Sequence, residues 1–152
     1  MENITNPFAF TITRAASSYR SSLARAFQSE GFGEITPDYF IVLYQLWNED
    51  NISIGDLAHR TSKDGASISR IVEGMSKKNL VKRVKNSNDI RFSRVILTKK
   101  GNELKAHLPS ISEKFNSLAT KGLSPIEVKE LQRMLEHVYS NTGLNKLGPI
   151  KN

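Results

Sequence analysis

Cysteine is absent from the 152 residues. Its absence excludes disulfides, thiolate metal sites and thiol redox sensing. No apolar run approaches the roughly 20 residues of a membrane-spanning helix, so no membrane partner is expected. The opening MENITNPFAF lacks the basic start and apolar core of a secretory signal, and a cytoplasmic protein is the expectation. Internal repeats and low-complexity linkers are also missing, and the length suits one domain over 1–152. No glycine-rich phosphate loop, nucleophile–base pair or catalytic spacing occurs. His59, His107 and His137 lie far apart without a metal-ligand spacing. An enzyme is not expected, and neither is a metal or a cofactor.

What is present is positive charge, gathered in one place. The chain carries a formal +7. Eleven basic residues fall between Lys63 and Lys100, opposed by Asp64, Glu73 and Asp89, so this segment holds +8 and the remainder sums to −1. A generic charge run is usually a solvated face. An excess confined to one stretch points instead to an acidic partner.

Helix signals dominate the rest. Asn6-Pro7 reads as a cap with proline in the first turn. Phe8, Ile12, Ala15, Ala16, Tyr19, Leu23, Ala26 and Phe27 then recur at helical spacing until Gly31 and Gly33. Thr36-Pro37 repeats the signal before a helix apolar over most of its circumference, the pattern of a central element. Ser53 opens a short helix with Ile54, Leu57 and Ala58. Ser62 or Asp64 caps the next, whose stripe is Ile68, Ile71, Val72 and Met75. Asn79 follows, where a chain leaving a helix needs a left-handed residue. The period then changes to two: 81–85 and 92–97 flank the polar turn Asn86-Ser87-Asn88-Asp89 and predict a β-hairpin. Thr98 caps a further long helix with a kink expected at Pro109. Ser124-Pro125-Ile126-Glu127 is a capping box for a last helix ending at Gly143, and the tail to Asn152 is expected to fray.

The helices over 53–60 and 64–78 form a helix-turn-helix candidate. In such motifs the N-terminal residues of the second helix face base edges in the major groove. Here these are Ala66, Ser67, Ser69 and Arg70, small or polar as close approach requires, with Arg70 able to contact guanine through two hydrogen bonds. The free N–H groups of that helix could also receive a phosphate. An ordinary surface helical hairpin would explain the helix pair alone. The basic hairpin directly after it reads as a wing, with Asp89-Ile90-Arg91 at its tip and Arg91 placed for a minor groove. Asp89 is expected to pair with Arg83 or Arg91, or to act as a turn former on its own backbone. Double-stranded DNA is the expected partner. Docking of an acidic protein by the same winged helix is the alternative.

Three phrases, ITPDYFIVLYQL, SIGDLAHRTSKDGASISRIVEGMSKKNLVKR and DIRFSRVILTKKG, resemble the MarR family of multiple-antibiotic-resistance regulators. The Asp-x-Arg, short strand and Leu-Thr-x-x-Gly of the last are the most specific. The resemblance implies a mainly α fold with a small β-hairpin wing. It assigns 36–101 to the winged helix-turn-helix lobe, and 6–30 and 102–143 to dimerisation helices. It implies a homodimeric transcriptional regulator, expected to be a repressor, on a pseudo-palindromic operator. The apolar stripes of the first helix and of 123–144 are hard to cover in so short a chain, which points to a homodimer independently. Expected DNA-facing residues are Ser62, Lys63, Ala66, Ser67, Ser69, Arg70, Lys77, Arg83, Asp89, Arg91 and Arg94. The family resemblance also implies a small aromatic or phenolic effector, for which Phe8, Ile12, Tyr19, Tyr39 and Tyr44 are the candidates. The chain departs from the family pattern at Asn79, usually glycine, at Ile90, often arginine, and at Gly74, where a longer residue is common.

Overall fold

A computed structural model describes residues 7–85 and 88–143. Among these, the helices are α1 (Pro7–Ser29), α2 (Pro37–Asn48), α3 (Ile54–Thr61), α4 (Gly65–Lys77), α5 (Lys99–Glu103), α6 (Leu108–Ala119) and α7 (Pro125–Thr142). The strands are β1 (Ile52–Ser53), β2 (Val81–Val84) and β3 (Arg94–Leu97). The architecture is mainly α with a small antiparallel sheet ordered β1-β3-β2, as expected. No described helix is long and apolar enough to cross a membrane.

The caps read from the sequence form as hydrogen bonds. Thr36, Ser53, Thr98 and Ser124 each accept from a backbone N–H of the first turn they open, and Ser124 with Glu127 completes the capping box. Each such bond satisfies a donor the helix itself leaves free. Asn6, Asn86, Ser87 and the tail from 144 lie outside the described residues.

The core is the meeting of α2, α3, α4 and the sheet with the end of α1. Phe27, Val42, Leu43, Leu46, Ile54, Leu57, Ile68, Val72, Met75, Leu80 and Val95 are buried, each contributing roughly 1.5–3 kcal/mol of transfer free energy. α2 is central, although Ile41 and Tyr44 remain exposed on its outer side. Of the α1 stripe, only Leu23 and Phe27 are buried.

Three features differ from the expectation. β1 is a two-residue strand pairing Ile52 with Val95 and Ser53 with Arg94, too short to leave a period in sequence. A 3-10 turn, Ile90–Phe92, stands where the second hairpin strand was expected to begin. The long helix after Thr98 is not kinked at Pro109 but breaks upstream, through a 3-10 turn at Leu104–Ala106. Pro109 lies in the first turn of α6, where a missing N–H costs nothing.

The Leu-Thr-x-x-Gly phrase is a packing device. Thr98 Oγ1 accepts from Gly101 N at 3.0 Å, and its hydroxyl faces the Asn79 carbonyl at 2.6 Å. A side chain at Gly101 would overlap the Leu80 carbonyl. Trp47 Nε1 donates to the Gly101 carbonyl at 3.0 Å, tying α2 to α5. Asn79 is left-handed at φ 57°, so asparagine fills the post-helix position that the family usually gives to glycine.

Candidate nucleic-acid interface

The turn between α3 and α4 is built from two local devices. Ser62 ends α3 in the left-handed region at φ 56°. Asp64 caps α4, accepting from Ser67 N at 2.8 Å and from Ser67 Oγ at 2.8 Å. Of the two cap candidates, Asp64 therefore acts and Ser62 closes the preceding helix. The backbone and side-chain hydrogen bonds from Ser67 hold the Asp64 carboxyl below the usual aspartate range. The Ser67 N–H at the start of α4 already has a carboxylate partner, so it is not among the free N–H groups expected to receive a phosphate.

Ala66 and Arg70 are exposed at the start of α4, while Ser67 and Ser69 are half-buried. Arg70 Nη2 donates to Ser67 Oγ at 3.2 Å, so Asp64, Ser67 and Arg70 form one hydrogen-bonded row on the helix. Arg83, on β2, reaches the same helix, its Nη1 lying 3.5 Å from Ser69 Oγ. Lys77 is paired with Glu73 at 3.4 Å, one turn earlier.

Asp89 pairs with Arg91 rather than Arg83. Arg91 Nε lies 3.0 and 3.1 Å from the two carboxylate oxygens, and Nη2 is 2.5 Å from Oδ2. Asp89 Oδ1 also accepts from the Arg91 backbone N–H at 3.0 Å, so the turn-former and pairing roles coincide. The fork of hydrogen bonds from Arg91 lowers the Asp89 pKa, and Asp89 raises that of Arg91. Both groups face solvent, so the pair orients the guanidinium more than it stabilises the fold.

Two of the expected DNA-facing cations are tied to residues outside the helix-turn-helix and wing. Arg94 Nε donates to Asn51 Oδ1 at 2.8 Å, and its Nη2 to the Asn51 carbonyl. It thereby holds the left-handed residue that precedes β1. Lys63 Nζ lies 3.1 Å from Asp38 Oδ1, on α2.

The effector candidates are spread along α1 and α2. Tyr19 donates to Asn116 Oδ1 at 2.5 Å and packs edge-on against Phe115, 5.1 Å between centroids. Burial raises its pKa. Tyr39 is half-buried with its hydroxyl against Gly74, and Tyr44 is exposed beside Phe40. Phe8 is exposed and Ile12 half-buried on α1. Phe8 stands eleven residues before Tyr19 on that helix, about 16 Å along its axis. His107 stacks on Phe32 at 5.6 Å.

Sequence reasoning missed Asp38 and Arg20 as neighbours of this region, and Tyr39 as the residue against Gly74. It also missed Tyr139, whose hydroxyl meets Ser62 Oγ from α7. No periodic signal could have found them, since each partner lies 18 to 77 residues from the other. The explanation for Gly74 is steric: a Cβ there would collide with the Tyr39 hydroxyl.

The model of the MarR family matches residues 35–92. The regulator MgrA of Staphylococcus aureus is 31% identical over 104 residues, covering 68% of this chain and 69% of MgrA. Among solved structures, a mutant of MarR from E. coli complexed with operator DNA superposes with a TM-score of 0.76 at 24% identity. It covers 88% of this chain and 94% of that one. Bordetella bronchiseptica BpsR, described with the regulation of its DNA binding by 6-hydroxynicotinic acid, gives 0.76 at 20% identity, over 91% and 98% of the two chains.

Proposed function

Given that the chain belongs to the MarR family of DNA-binding transcription regulators, we propose that it is a homodimeric repressor of a pseudo-palindromic operator. The observation that carries this is the union of α4 and the wing: Arg83 of β2 meets Ser69 of α4, beside the exposed row of Ala66 and Arg70. One basic surface thus combines a helix with short side chains and a β-ribbon. A helix of this kind enters the major groove N-terminus first, and an oriented arginine suits the narrow groove beside it. In this reading Arg70 reads bases, Ala66, Ser67 and Ser69 permit close approach, and Arg91 enters the minor groove in the pose that Asp89 fixes. Arg83 and Lys77 face phosphates, with Ser62 at the mouth of the turn.

The homodimer is supported by apolar surface with no cover. α7 contains no buried residue, and Ile126, Leu131, Met134, Leu135 and Tyr139 are all exposed, as are Phe8 and Phe10 on α1. Patches on this scale mark contact sites. Two-fold symmetry sets the half-sites about one helical turn apart. A small aromatic effector completes the reading. Its support is the BpsR precedent and the aromatic residues where α1 meets α6 and α2 meets α4. Such a ligand acts by binding one separation of the two lobes better than another.

The test is fluorescence anisotropy on the duplex upstream of the protein's own gene, against unrelated duplex, across a salt series. Operator binding should exceed non-specific binding by about a thousandfold or more. Arg70→Ala should lose about 1–3 kcal/mol of base discrimination per contact. Arg91→Ala should weaken operator binding and make its affinity less salt-dependent. Equal binding to both duplexes by the wild type would refute the regulator reading and favour docking of an acidic protein.

A further inference from the structure

The first turn of α2 holds a carboxylate that the DNA-binding reading leaves without a task. Asp38 binds two cations from two other parts of the chain: Lys63 Nζ lies 3.1 Å from Oδ1, and Arg20 Nη2 of α1 donates to Oδ2. Its side chain is 22% exposed and that of Lys63 27%. Burial alone would raise the carboxyl pKa, but the hydrogen bond from Arg20 and the Lys63 ammonium beside Oδ1 outweigh it and hold it below the usual aspartate range.

This pair differs from the ordinary ion pairs of the surface. Lys77–Glu73 and Lys99–Glu103 are local, one helical turn apart, with lysines 76% and 91% exposed. Such pairs cost little to open, and their lysines are free to reach a phosphate. Lys63 is half-buried, spans 25 residues to its partner, and shares that partner with an arginine. Its position is also significant, for it stands directly before the Asp64 cap of α4. Lysines and helix N-termini are among the groups that contact the DNA backbone, and Lys63 stands where the two coincide.

We propose that Asp38 is an affinity-limiting residue, which by holding Lys63 withholds one cation per subunit from the phosphates of bound DNA. The inference rests on the DNA-binding reading above. Its consequence is a weaker and less salt-sensitive grip on every duplex. Phosphate contacts carry no sequence information, so discrimination between operator and random DNA is left intact while non-specific retention falls.

Two measurements test this. The first needs no DNA: competitive acetylation of lysines, read by mass spectrometry on the full chain. Lys63 should label several-fold more slowly than exposed Lys82 in the wild type and approach the Lys82 rate in Asp38→Asn. Equal rates in the wild type would overturn the proposal whatever the DNA data show. The second is the salt dependence of duplex binding. Each added phosphate contact steepens the slope of log K against log salt by about 0.9, so two released lysines steepen it by about 1.8 and raise affinity up to about 30-fold at 0.15 M salt. Asp38→Asn should show this on operator and unrelated duplex alike, and adding Lys63→Met should remove the gain. An unchanged slope in Asp38→Asn, or a gain that survives Lys63→Met, overturns the proposal. If the wild type binds no duplex, the function proposed above fails and this role falls with it; slow labelling of Lys63 would then mark the ion pair as purely structural.

Discussion

Replacing Gly74 by alanine should destabilise the protein, although alanine is the better helix former. In an open helix interior the exchange would gain about 1 kcal/mol. Here the added Cβ overlaps the Tyr39 hydroxyl, with the ring carbon Cζ next at 3.2 Å. Overpacking of this kind costs roughly 1–3 kcal/mol, which, less the helix gain of about 1 kcal/mol, leaves Gly74→Ala destabilising by about 1 kcal/mol. Removing the hydroxyl removes the worst overlap. In a Tyr39→Phe background the remaining 3.2 Å contact needs a shift of only a few tenths of an ångström, and the substitution should be close to neutral. The expected coupling is therefore about 1 kcal/mol, measured as a double-mutant cycle by urea unfolding. Chain concentration must be fixed, because unfolding of an oligomer depends on it. Additivity within about 0.5 kcal/mol, the limit for independent sites, would refute the claim that Tyr39 seats on α4 at Gly74.

Other perturbations follow from single contacts. Thr98→Val deletes the cap of α5 and leaves the Asn79 carbonyl without its short hydroxyl partner; a loss of about 2–4 kcal/mol is expected by urea unfolding, from a cap worth about 1 kcal/mol and an unsatisfied polar group worth 1–3. Leu131→Lys with Leu135→Lys places charge on the uncovered face of α7; light scattering should show monomer for the variant and dimer for the wild type, and an unchanged mass would exclude that face as the interface. Asp38 has a lowered pKa in the fold, so its contribution to stability is present above the unfolded value and lost as pH falls through the folded one. The stability difference between wild type and Asp38→Asn should be constant near neutrality and shrink below about pH 3.8; a difference that persists in acid would show that charge is not its source.

Helix ends were legible in this sequence because a cap is a local event. Ser53, Thr36 and Ser124 each bond an N–H three residues on, a distance the chain cannot alter. The stripe of α4 was legible for the same reason, since Ile68, Val72 and Met75 share one face by helical period alone. So was the confinement of the positive charge to 63–100. What the sequence left open was which residues meet across the fold. Asp89 had two candidate arginines and took Arg91, for the 3-10 turn at 90–92 lets one carboxylate bind both its backbone and its guanidinium. Lys63 and Arg94 counted as equal to the other cations of the basic stretch until Asp38 and Asn51 were brought beside them. Charge and period are properties of a residue and its near neighbours, which fix the elements and their polarity. Whether a given cation is free or paired depends on groups tens of residues away, and only the packing of α1, α2 and the sheet decides it.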